Sequence, residues 1–300
     1  MNEIAEKIRK LKTEKKAVLL VHNYQSENIQ KMADFLGDSL DLSRKAKSVK
    51  EDIIVFCGVD FMAETAKILS PEKTVLHPVK EANCPMAAMV TPEDVLELKK
   101  RHPGAMVVCY VNSTAEVKAV SDVCCTSANA VKVVQNIPAT EVIFVPDRNL
   151  GRYVQRFTDK KVIPWNGYCY VHDRITAEDI LKTREKYPEA ILVVHPECTP
   201  EVIDLADYVE STSGMLQLAR KSAHKEFLIA TEVGLIQRLS REIPDKTFIS
   251  AVDPRICATM KKITLEDVLE SLEKEQHKVE LPVEIMDRAR ASLEKMLLWI

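Results

Sequence analysis

AVLLVHNYQSENIQKMADFLGDS, residues 17–39, returns without a gap as AMVVCYVNSTAEVKAVSDVCCTS at 105–127 and as AILVVHPECTPEVIDLADYVEST at 190–212. One unit therefore occurs three times. In each copy a short apolar run, read as a buried strand, ends in an imidazole or a phenol: His22, Tyr110 and His195. Two residues on stand Tyr24, Asn112 and Glu197. An amphipathic segment then leads to an aspartate at one shared offset (Asp34, Asp122, Asp207) and to a closing hydroxyl (Ser39, Ser127, Thr212).

A second periodic mark follows. CPMAAMVTPEDVLE, CYVHDRITAEDILK and CATMKKITLEDVLE place Cys84, Cys169 and Cys257 seven residues before Thr-x-Glu-Asp. Each threonine, with the acid three residues on, forms a helix-start signature. Between the two marks lies another apolar strand in each copy, at 53–57, 142–145 and 227–230, then a helical segment and a further short strand. Strands alternating with helices predict parallel pairing. The fold class expected is α/β, with three similar parallel-sheet α/β/α domains about a pseudo-threefold axis and a central cavity. The domains are placed at residues 1–90, 91–175 and 176–300, the last including C-terminal helices. With seven glycines in 300 residues and no Gly- or Ser-rich linker, the domains must abut.

Ligands in open parallel sheets gather at the carboxyl ends of strands. Three equivalent strand ends would bring His22, Tyr110 and His195 together with Tyr24, Asn112 and Glu197. Ser39, Ser127 and Thr212 fall where a helix begins, where main-chain N–H groups and the positive helix end hold a carboxylate or phosphate. A single such hydroxyl reads as a helix N-cap, whereas three in register beside other polar groups read as ligand contacts.

The cysteines obey the same symmetry. Three thiols at one matched loop suit a soft metal, either zinc with a fourth ligand or an iron-sulfur cubane with one iron lacking a cysteine. Cys57, Cys109, Cys124 and Cys125 lie in apolar segments and read as core. Cys198 follows Glu197 at a strand end, a place open to the cavity wall, and is not assigned as a ligand. His172, three residues after Cys169, has no counterpart in the other copies and is read as lining the cavity or supporting a ligand. His77, His102, His224 and His277 read as surface or packing residues.

Composition excludes other classes. The net charge of −3 is interspersed, which gives no footprint for nucleic acid or an anionic membrane. No apolar run approaches the roughly 20 residues of a membrane span. The charged amphipathic start, MNEIAEKIRKLKTEKK, lacks an export signal, so a cytoplasmic location with reduced thiols is expected. Neither common nucleotide-cradling motif is present, nor are H-E-x-x-H and G-x-S-x-G.

The stretches HNYQ, GDSL, GVDFMAE, NCPMA, YVNSTAEVKAVSDVCCTSANAV, PDRNLG, GYCYVH, HPEC, STSGM and CATMKKITLEDVLESL resemble the quinolinate synthase family, from about residue 17 to 275. The resemblance implies three similar α/β domains around one 4Fe-4S cluster. It implies condensation of iminosuccinate with dihydroxyacetone phosphate to quinolinate, a step of NAD biosynthesis. The family's cluster ligands fall on Cys84, Cys169 and Cys257. Its substrate contacts fall on His22, Ser39, Tyr110, Asn112, Ser127, His195, Glu197 and Thr212, and its H-N-Y tyrosine on Tyr24. The C-x-x-C-x-x-C found near the carboxyl end of some relatives is missing here. The small-molecule partners implied are the two substrates, with functional coupling to an aspartate-oxidising enzyme.

That reaction needs anion holders, an acid, a base and a Lewis acid to help hydroxide leave. Tyr24, His195 and Glu197 are the expected proton carriers, Glu197 either directly or by orienting His195. His22 and the hydroxyls would hold the anionic groups. The competing readings are another 4Fe-4S hydro-lyase acting on a small di- or tricarboxylate, and a non-enzymatic metal-stabilised scaffold, which needs no acid or base at the strand ends.

Overall fold

The computed structural model describes residues 2–299. Among these, twelve strands form three four-stranded sheets. The first holds β1 (Ala17–His22), β2 (Phe35–Gly37), β3 (Ile53–Cys57) and β4 (Thr74–Leu76). The second holds β5 (Met106–Tyr110), β6 (Val123–Cys125), β7 (Glu141–Val145) and β8 (Lys161–Pro164). The third holds β9 (Ile191–Val194), β10 (Tyr208–Val209), β11 (Glu226–Ala230) and β12 (Thr247–Ser250). All pairings are parallel, and the order is the same in each, β2-β1-β3-β4 and its equivalents. Even the register repeats: Ala17 pairs with Ile53, Met106 with Val142 and Ile191 with Phe227, always 36 residues on. The expected α/β architecture of three similar units is what the chain adopts.

Parallel strands covered on both faces read as continuous apolar runs, and every residue of β1 is buried. Val18, Val108 and Val193 belong to one core that runs through all three sheets. The matched aspartates hold the strands that open each unit. The amides of Leu19, Val107 and Leu192 donate to Asp34, Asp122 and Asp207, each at 2.8 Å. Each aspartate amide donates back to the carbonyl of the same residue. A cation closes each clamp, Lys12 at 2.7 Å, Lys99 at 3.0 Å and Arg184 at 2.9 Å.

Thr91 and Thr264 form complete capping boxes with Asp94 and Asp267, and Thr176 accepts the Asp179 amide. The C-terminal segment then doubles back. Val279 donates to the Val75 carbonyl at 2.8 Å, covering the edge of β4. Helix Val283–Leu298 lies against β6 and helix Ala115–Ala119 of the middle unit, where the Ser292 hydroxyl donates to the Lys118 carbonyl at 2.9 Å. Among the described residues no helix is long and apolar enough to cross a membrane.

Candidate active site

His22 ends β1, Tyr110 ends β5, and His195 follows β9 directly. The sharp exits from these strands present the next polar residues to one cavity. The cavity is lined by His22, Tyr24, Ser39, Tyr110, Asn112, Ser127, His195, Glu197 and Thr212, and by Cys84, Cys169 and Cys257. Every site residue expected from the repeat therefore faces one space. No lysine or arginine is among its lining residues, so an anion there meets hydroxyls, imidazoles and helix ends.

Those hydroxyls are not caps. The helix Ser39–Ser48 is capped by Asp38, which accepts the Leu40 and Asp41 amides at 3.0 Å. The helix Thr212–Lys221 is capped by Ser211, which accepts the Gly214 amide. Ser127 precedes the helix Ala130–Asn136 by three residues. Thr212 accepts a hydrogen bond from Asn23 at 2.7 Å. Asn112 turns its amide nitrogen toward Glu197 at 3.5 Å, and its buried Oδ1 has no partner among the described residues. A buried unsatisfied acceptor on a cavity wall is a place for a ligand donor.

The polar centre is Glu197, 3% exposed. Its Oε2 lies 2.7 Å from His172 Nδ1 and 3.3 Å from His195 Nδ1. The two rings are stacked with centroids 4.5 Å apart. Burial opposes the charge on Glu197, but the imidazoles of His172 and His195 hold its carboxyl below the usual range. Beyond His172 the network continues, because Nε2 meets the Thr231 hydroxyl at 2.8 Å, and that hydroxyl meets the Tyr24 phenol at 2.7 Å. Tyr24 O–H to Thr231, Thr231 O–H to His172 and His172 N–H to Glu197 form one directional chain.

Burial and the Glu197 charge push the Tyr24 and Tyr110 phenols well up, so both keep their protons. Burial, then the neighbouring His195, pushes His22 down to about 3. His22 is thus neutral at pH 7; its Nδ1 accepts the Tyr24 amide, which leaves the proton on Nε2.

Each cysteine of the matched trio opens a short helical turn. The Cys84, Cys169 and Cys257 carbonyls accept the amides of Ala87, Asp173 and Lys261 at 2.8–3.1 Å. Burial raises the Cys84 thiol to about 12 and pushes the Cys169 thiol well up, and the trio's sulfurs act on one another. Among the described residues, the metal-ligating atoms found within 4.8 Å of one another are those of Cys169, His172 and Glu197.

Cys57, Cys109, Cys124 and Cys125 are buried core residues, as expected. Cys198 is fully buried, packs with Val194 and Val202, and turns away from the cavity wall. His172 lies behind that wall, completely buried. Thr231 escapes the repeat because its equivalents, Gly58 and Pro146, have no hydroxyl. The signal for both was local, a polar side chain at a loop end in the second copy alone for His172 and at a strand end in the third alone for Thr231.

A protein family described as quinolinate synthetase A protein matches residues 6–298. A protein of Methanoregula boonei named quinolinate synthase is 54% identical over 294 residues, 98% of this chain and 97% of its own. Proteins of the same name from Geotalea uraniireducens and Methanosarcina barkeri are each 51% identical, over 99% and 98% of this chain and 97% of their own. Matched along its length in this way, the chain belongs to the quinolinate synthetase A protein family.

Proposed function

We propose that the chain is a quinolinate synthase, joining iminosuccinate and dihydroxyacetone phosphate to quinolinate with loss of phosphate and water. The observation that carries this reading is the convergence of twelve residues from three repeats on one cavity, thiols facing acid-base groups. Its lining suits dianionic substrates: Ser39, Ser127 and Thr212 at the cavity wall, two of them opening ten-residue helices, with the neutral Nε2–H of His22 as a further donor. We infer that the protein works in the cytoplasm on small molecules, and that an aspartate-oxidising enzyme supplies the labile imine. The domain limits 1–90, 91–175 and 176–300 are retained as part of this reading.

The donor set fits a cluster. Three thiols from three matched loops line one cavity, and three thiolates without a fourth matched protein ligand are the donor set of a cubane with one open iron. Cys84, Cys169 and Cys257 would hold the cluster. Bound there, it would supply an open iron as Lewis acid for departure of hydroxide.

The chain's own groups divide the remaining work. Asn112 and Tyr110 orient the substrate from β5. Tyr24, protonated and buried, takes a proton from the substrate at its phenol oxygen while its own passes through Thr231 to His172 Nε2, and the reverse passage gives it back. Glu197 holds the resulting positive charge on His172 and steadies His195, whose ring faces the cavity as the second proton carrier.

The test is incubation of the anaerobically purified protein with enzymatically generated iminosuccinate and dihydroxyacetone phosphate. A pyridine dicarboxylate together with about four irons and four sulfides per chain is expected. A sulfide-containing protein that makes no pyridine and instead hydrates small di- or tricarboxylates would replace this reading with the hydro-lyase.

A further inference from the structure

Each cysteine loop sits beside the end of the third strand of its own unit, β3, β7 or β11. The Asp60 amide donates to the Ala82 carbonyl at 2.9 Å, Arg148 to Gly167 at 2.8 Å and Val233 to Arg255 at 3.0 Å. In every case the acceptor lies two residues before the cysteine. At these contacts stands an acid: Asp60, Asp147 or Glu232. Asp60 Oδ1 accepts the Cys84 amide at 3.2 Å. Glu232 Oε1 accepts the Cys257 amide at 3.3 Å. In the middle unit Asp147 is fully buried, the Cys169 amide acts on its carboxyl, and its Oδ2 has no hydrogen-bond partner among the described residues.

Helix capping does not account for these contacts. Asp147 and Glu232 do cap helices, but through Oδ1, which takes the Asn149 and Leu150 amides, and Oε2, which takes the Gly234 amide. The oxygen turned to the cysteine is the other one. Asp60, the first residue of its helix, takes the Phe61 amide at 2.8 Å on the same Oδ1, and the Cys84 amide is a second donor to it that the helix does not require. Nor do the acids line the cavity, so they do not touch a substrate there.

We propose that Asp60, Asp147 and Glu232 are positioning residues for the metal centre, each taking the backbone N–H of one cysteine ligand. This rests on the cluster reading above. An N–H held by a carboxyl oxygen is unavailable to the sulfur of the same residue. Hydrogen bonds to cluster sulfurs are among the factors that set a cluster's potential. The three acids thus fix the direction of each loop and keep its N–H off the sulfur. Both effects suit a centre that serves as Lewis acid and is not reduced in turnover. Asp147 Oδ2, the acceptor still spare, would take the Cys169 N–H once that thiolate is bound.

The test compares Asp60→Ala and Glu232→Ala with Asp60→Asn and Glu232→Gln in anaerobically purified full-length protein. It measures iron and sulfide content, the rate of iron loss to a chelator, and the midpoint potential by spectroscopically monitored titration. Outer-shell partners of metal ligands are worth about 10–100-fold in metal affinity. The alanine variants should therefore lose iron about tenfold faster or more, with an upward shift of potential as the freed N–H turns to sulfur. The amide variants keep an acceptor oxygen and should lie near the parent in both. Alanine variants that fold, hold iron and titrate like the parent would overturn the proposal, as would amide variants as impaired as alanine in both readouts. A parent without sulfide would overturn the cluster reading and this proposal with it, an outcome distinct from unchanged variants of a loaded parent.

Discussion

Replacing Thr231 by valine removes one hydroxyl and leaves the shape of the side chain. That hydroxyl is buried and makes two hydrogen bonds, 2.7 Å to Tyr24 and 2.8 Å to His172. Two neutral hydrogen bonds are worth about 1–3 kcal/mol together, so the variant should fold and melt a few degrees below the parent. The effect on turnover should be of another order. Without the hydroxyl the phenol faces His172 Nε2 at 3.4 Å, at the limit of a hydrogen bond, and passage of its proton to His172 is interrupted. Positioned proton transfer contributes about 10²–10⁴-fold, and a loss of at least about a hundredfold in kcat is expected at normal iron content. Tyr24→Phe should lose as much. Residues that act as a unit are non-additive, so the double variant should be no worse than the poorer single one. Steady-state assays on iron-matched samples decide the matter. A Thr231→Val enzyme within about threefold of the parent, or a double variant whose losses multiply, would refute the relay.

Asp122→Ala leaves the Val107 amide without its acceptor and should cost about 1.5–3 kcal/mol, with little from the half-exposed Lys99 pair; Asp34→Ala and Asp207→Ala should add to it, measured as urea midpoints, with turnover per folded molecule unchanged. A Cβ on Gly167 would meet the Pro146 carbonyl oxygen at 2.5 Å, whereas Gly104 has nothing within 4 Å. Gly167→Ala should therefore displace the Cys169 loop and lower iron content, and Gly104→Ala should not. Burial depresses the pKa of His22 to about 3, so the unfolded chain takes a proton near pH 6.5 that the folded one refuses. Stability is intact above pH 6.5 and falls below it; His22→Asn should remove about 2 kcal/mol of the loss between pH 7 and 5, read as a smaller drop in urea midpoint.

Much of this architecture was legible in the chain because a gapless repeat carries its register with it. Once Ala17, Ala105 and Ala190 are aligned, the strands, the aspartate clamps and the cavity-lining positions follow in all three copies. Symmetry also set the limit of that reading. His172 occurs in the second copy alone and Thr231 in the third alone, so no register marks them. The acids beside the cysteines are hidden for a smaller reason: one extra residue between β3 and Asp60 shifts it against Asp147 and Glu232, and an offset search passes over it. Ser39 and Thr212 open helices without capping them because Asp38 and Ser211, one residue earlier, already hold the first-turn amides. A sequence pattern marks where a helix starts to within a residue or two, too coarse to separate a cap from its neighbour.

The return of helix Val283–Leu298 to the middle unit bears on how the protein is made. A ribosome releases the chain from the amino end, and domains tend to fold as they emerge, yet the second unit must wait for the last residues before β6 is covered. Until then that bare edge, with Cys124 and Cys125 on it, is open to pairing with other chains. The third of the cysteines proposed to hold the cluster, at position 257, also arrives late. On the proposed cluster, loading with iron and sulfide would belong after synthesis, and a nascent chain stalled before residue 283 would be an aggregation hazard rather than a partly working enzyme.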